Sequence, residues 1–182
     1  MASLTLKLLL AVLPLAGGKK RLAELFRVTA AAFGRQAPDL HGLSRREMLR
    51  RYAQFTRAQA EESMSAGSAD GIRKKLFDGS RSLARDIRRR LPIRSRADEA
   101  AVLRFLYRSL DIDKQVDDQG AVRIRRCFFA SHYPPEVCRF MAAMDEGMVA
   151  GICGGRLVFS QRLTEGAEAC RGLITWPQGT DE

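Results

Sequence analysis

Histidine occurs only twice in the 182 residues, and the four cysteines form no CxxC pair. Structural zinc sites take their ligands from closely spaced pairs, whereas these thiols stand apart at 127, 138, 153 and 170, so a zinc-built fold is excluded and no cofactor is expected. The chain is not a short secreted scaffold, which favours reduced thiols and a cytoplasmic setting over two disulfides. No apolar run reaches the ~20 residues a membrane-spanning helix needs. The run Leu8–Ala16 has the length of a signal-peptide core, but Lys19, Lys20 and Arg21 follow it, where a secretory signal would carry its charge in front. A retained first helix is expected, docked on the domain or, alternatively, lying in a membrane interface beside those basic residues. Internal repeats and low-complexity tracts are also absent.

What is present is a strong and uneven charge. The net charge is +10, with a balance of +13 over residues 1–110 and −3 over residues 111–182. Such a surplus attracts anionic partners, including an anionic membrane surface at which the protein would be peripheral. The lack of any aromatic-interleaved basic motif or RNA-recognition signature argues against nucleic acid.

The length suits one domain, 1–182, with a basic helical part (1–110) and a second part (111–182) of different periodicity. Apolar residues repeat at helical steps from Leu22 to Phe33, after Gly17-Gly18. A capping box at Ser44–Glu47 opens a helix reaching about Met64, Ile72–Ile87 carries another that ends before Pro92, and Ser95 with Asp98 opens a fifth helical segment. Beyond Leu110 the period changes to two. Segments near 112–117 and 121–127 read as a hairpin, Pro135 opens a helix that stops at Gly154-Gly155, and strands are expected near 156–162 and 169–175. The expected fold is α+β, with amino-terminal helices packed on a small antiparallel sheet formed by a carboxy-terminal β-β-α-β-β unit.

Reactive residue types gather between Cys127 and Cys170. Cys127 closes a strand and His132 follows on a loop; a thiol beside an imidazole can become a nucleophilic thiolate, and Arg125 and Arg126 would lower its pKa. On the Pro135 helix Cys138 and Asp145 share a face two turns apart, and Arg139 and Glu146 share the next. Asp145-Glu146-Gly147 sets two carboxylates in a mostly apolar helix, where burial would tune one as a general base. The plainer alternative is a core thiol, a solvated carboxylate face and a surface histidine.

Cys127, Asp145, Gly166 and Cys170, with Cys138, form a pattern over the last 60 or so residues that resembles the L-2-amino-thiazoline-4-carboxylic acid hydrolase family. The resemblance implies ring-opening of a cyclic amidine to N-carbamoyl-L-cysteine. For that chemistry Asp145 or Glu146 would deprotonate water, His132 would protonate the leaving group, Arg126 or Arg139 would clamp the substrate carboxylate, and Cys127 would serve a covalent variant; Cys138 and Cys170 complete the expected site. The element order is equally similar to vinyl-reductase-like small-molecule-binding domains, which would make the partner an acyl or tetrapyrrole ligand and allow a homodimer. A large apolar pocket favours the second; a polar cleft gathering Cys127, Asp145 and Cys170 favours the first.

Overall fold

The change of period near Leu110 is a change of architecture: among the described residues five helices precede it and all four strands follow it. The computed structural model describes residues 2–12 and 14–176, and the side chains of residues 12–17 lie outside that description. Among the described residues the order is α1 (Leu4–Val12), α2 (Pro14–Ala32), α3 (Arg45–Ser65), α4 (Ala69–Arg89), α5 (Arg96–Arg108), β1 (Ile112–Val116), β2 (Ala121–Cys127), α6 (Pro135–Cys153), β3 (Arg156–Gln161) and β4 (Cys170–Thr175). All strand pairs are antiparallel, in the order β1-β2-β4-β3, so the α+β architecture is as expected. Part of the apolar run Leu8–Ala16 falls outside the described residues, and no described helix is long and apolar enough to cross a membrane. One boundary differs from expectation. Helix α2 starts at Pro14 and runs through Gly17-Gly18, because proline fits the first turn while each glycine only weakens a helix, by ~1 kcal/mol, and does not break it.

Local chemistry sets the other boundaries. Ser44 accepts from the Glu47 amide while the Glu47 carboxylate accepts from the Ser44 amide at 2.7 Å, closing the capping box of α3. Ser95 caps α5 through the Asp98 amide. In the β1–β2 turn the Asp117 carboxylate accepts from the amides of Gln119 and Ala121. Gly120 completes that turn at φ 87°, and a Cβ there would stand 2.3 Å from the Ile174 carbonyl, so glycine is required twice over.

The helices cover one face of the sheet, where Ile112, Val122, Ile124, Leu157 and Ile174 are buried, and α6 is the hub of the helical layer. It packs most extensively on α4. Small residues make that possible: Gly147 lies against Ser80 and the Phe77 carbonyl, and Gly151 against Ala84 and the Arg81 carbonyl. Two small residues four apart on each helix let the backbones approach.

The inner face of β2 is set by a break in its pairing. Asp113 pairs with Arg126 but Lys114 with Ile124, leaving Arg125 as an extra residue on β2. Strict alternation would have sent Arg126 inward and Cys127 outward. The bulge reverses this, so Arg125 and Arg126 are both exposed and Cys127 turns in beside Ile112.

Candidate functional site

Where α2, α3, α4, α5 and α6 meet above the sheet, their side chains leave a cavity of about 370 Å³. The wall is mostly Leu, Ile, Phe and Met: Leu25, Leu83, Ile87, Phe105, Met144 and Met148 among them. Exposure shows which end is open. Lys20 and Arg90 are exposed and mark the mouth, whereas Tyr52, Tyr107, Phe129 and Tyr133 are buried and close the deep end. Arg21, half-buried, stands between, its guanidinium 4.8 Å from the centre of the Phe105 ring. Its buried Nε has no hydrogen-bond partner among the described residues, and burial pulls its pKa down.

The hydroxyls at the deep end are already engaged. Tyr52 shares a hydrogen bond with Thr29 at 3.0 Å, and Tyr133 shares one with Thr56 at 2.5 Å. Tyr107 donates to Oδ1 of Asp145. Burial pushes all three phenols above their ordinary range, and for Tyr107 the neighbouring Asp145 charge adds to it. At the deep end the second oxygen of Asp145 keeps its hydrogen-bonding capacity, while the three phenol hydroxyls already have protein partners.

Beneath Tyr107 lies a residue that sequence reasoning passed over. Lys114 is 2% exposed, and its ammonium sits 3.9 Å from the centre of the Tyr107 ring with no hydrogen-bond partner among the described residues. Desolvation lowers its pKa, against the opposing pull of Asp145. A signal was available: the two-residue period of β1 puts Lys114 on the face shared by Ile112 and Val116. Nothing comparable marked Tyr107 or Arg21, whose roles depend on which helices meet.

The expected site residues divide into two groups. Cys127, Cys138, Cys170 and Asp145 come within electrostatic reach of one another on the helix-covered side of the sheet: burial raises the pKa of both Cys127 and Cys170, Asp145 adds to each shift, and Cys138 adds to that of Cys170. Only Asp145 of these lines the cavity. Burial pushes the Cys127 thiol up to about 12, the direction opposite to that expected from Arg125 and Arg126, which face solvent. A thiol so placed stays protonated at neutral pH. The Cys170 sulfur accepts from the Leu163 amide, and all four cysteines are free.

The second group lies outside. His132 stacks on Phe128 with ring centres 4.6 Å apart, and its Nδ1 is 3.0 Å from both the Phe128 carbonyl and the Ser131 hydroxyl; it has no hydrogen bond to Cys127. Arg139 pairs with Glu165 at 2.5 Å, Glu146 faces Arg73 at 3.8 Å, and Arg126 is exposed on β2. No group of three or more His, Cys, Asp or Glu among the described residues is arranged to hold a metal. No family model, curated protein or solved structure matches the chain.

Proposed function

We propose that the protein binds an elongated, largely apolar ligand with one anionic end, of the fatty-acyl or isoprenoid carboxylate type. The observation that carries this reading is the cavity: apolar over most of its wall, with Asp145 at its deep end beside hydroxyls already bonded to protein groups, and basic at its mouth. Its size falls within the range of small-molecule pockets. Arg21 supplies the anion partner, since an oxyanion at the mouth would satisfy its orphaned Nε, with Lys20 and Arg90 adding positive potential and Glu24 a single opposing charge. Along the chain each buried methylene contributes ~0.8 kcal/mol, close to fourfold in affinity.

Displacement of an environment-sensitive fluorescent fatty acid by carboxylates of increasing length checks this. Affinity should climb about fourfold per methylene until the cavity is full. Met148→Trp, which fills the wall, should abolish displacement, and Arg21→Met should weaken it about tenfold, the strength of a charge-assisted hydrogen bond. Affinity independent of chain length would remove the proposal.

Asp145 supports a second reading, the cyclic-amidine hydrolase suggested by the family resemblance. It is the carboxylate at the deep end of the cavity, and Tyr107 orients it. Under that reading Asp145 takes a proton from water held at its free oxygen as that water adds to the amidine carbon; the ring C–S bond then breaks, and the two protons of the water end on the ring nitrogen and the departing sulfur, giving N-carbamoyl-L-cysteine. Asp145→Asn should then lower turnover of 2-aminothiazoline-4-carboxylate by ~10²–10⁴-fold with the fold intact. Wild-type protein inert toward that substrate would leave the ligand-binding reading alone.

A further inference from the structure

Five large hydrophobic residues of the described chain are exposed, and three of them lie on the nine residues of α1: Leu4 at 73%, Leu8 at 62% and Leu9 at 42%. The helix is held by its opposite side. Leu6 is fully buried, Leu10 packs on the core, and the Ser3 amide donates to the Asp98 carboxylate at 2.8 Å, tying the start of α1 to α5. Leu4 and Leu8, one turn apart, therefore form an outward ridge, with Leu9 on its flank.

We infer that α1 docks the protein on an anionic lipid bilayer, with this ridge in the acyl boundary and the lysines among the headgroups. Charge selects that occupant. Lys7, Lys19 and Lys20 are exposed, Arg21 follows, and no acidic residue precedes Glu24, so the segment meets phosphate-bearing headgroups without repulsion. A second copy of the chain would bring the same cations against each other in a protein of net charge +10. The helix lies flat; nine residues reach only about half-way through a hydrocarbon core. Docking rests on α1 and the basic residues early in α2, and does not depend on the ligand reading.

Co-flotation with vesicles of equal parts phosphatidylglycerol and phosphatidylcholine tests the inference, with pure phosphatidylcholine vesicles as control. Wild-type protein should partition onto the anionic vesicles at least ~10-fold more strongly than onto the neutral ones, since each lysine near the surface is worth about fivefold. The double variant Leu4→Gln/Leu8→Gln should lose at least ~10-fold on the anionic vesicles. Both sites are exposed, so circular dichroism should not change, and Leu9→Trp gives an independent readout through blue-shifted emission on vesicle binding. Binding unaffected by the leucine substitutions, or no binding by the wild type, overturns the inference. So does a wild-type dimer that the same substitutions convert to monomer without any vesicle binding, which would assign the ridge to a second copy.

Discussion

Gly151→Val should lower the stability of the fold by about 3 kcal/mol or more, and the melting temperature by at least ~6 °C for a chain of this size. A Cβ at this position would lie 2.4 Å from the Ala84 Cβ and 2.5 Å from the Arg81 carbonyl, so relief requires moving the α4 backbone. Gly147 makes the same demand one turn away, against the Phe77 carbonyl at 2.3 Å and the Ser80 hydroxyl at 2.1 Å. The helices therefore cannot pivot about one contact to spare the other. Gly147→Ala should destabilise the fold as well, and adding Ser80→Gly should recover only part of that loss, because it removes the hydroxyl and leaves the Phe77 carbonyl. Thermal denaturation reads both effects, and an unshifted Gly151→Val transition would show that α4 and α6 do not pack this closely.

Lys114→Met should have the opposite sign, stabilising the protein by about 1–4 kcal/mol at neutral pH. The ammonium is buried without a hydrogen bond, and a cation–π contact recovers ~2 kcal/mol while desolvation of a charge costs several. Methionine preserves the contact with Tyr107 and removes the charge. The sign with pH follows from linkage. The folded-state pKa of Lys114 lies below its unfolded value, so between the two the unfolded chain binds more protons and stability rises with pH. The penalty is complete below the folded pKa and fades as pH rises through that window. Tyr107, Cys127 and Cys153 act in reverse: their folded pKa values are raised, so their stabilisation is complete below the unfolded values and declines above them. Without the opposing contribution of Lys114, the variant should lose stability more steeply toward about pH 10. Urea unfolding at neutral and alkaline pH decides, and a destabilised Lys114→Met at neutral pH would mean that attraction to Asp145 outweighs desolvation.

Features that depend on neighbouring residues were legible in the sequence. The helix starts at Ser44 and Ser95 are written in capping serines and the residues three positions on, and the four strands in a two-residue period bounded by turns. Even the inward position of Lys114 follows from the alternation of β1. The break in β2 does not, since one unpaired residue at Arg125 appears only when the partner strand is in place. That bulge decides that Cys127 is an inner thiol held protonated by burial and that Arg126 stands in solvent. Asp145-Glu146-Gly147 shows the same division: helical spacing gave the order of the three side chains, but only packing separated their roles. Asp145 meets Tyr107 on the cavity wall, Glu146 faces Arg73 at the surface, and Gly147 admits α4. By itself the sequence determined the elements and most of their ends, because those are set by interactions within a few residues. Tertiary structure alone decided the cavity and its charged mouth, because both are spaces between helices that lie far apart in the chain.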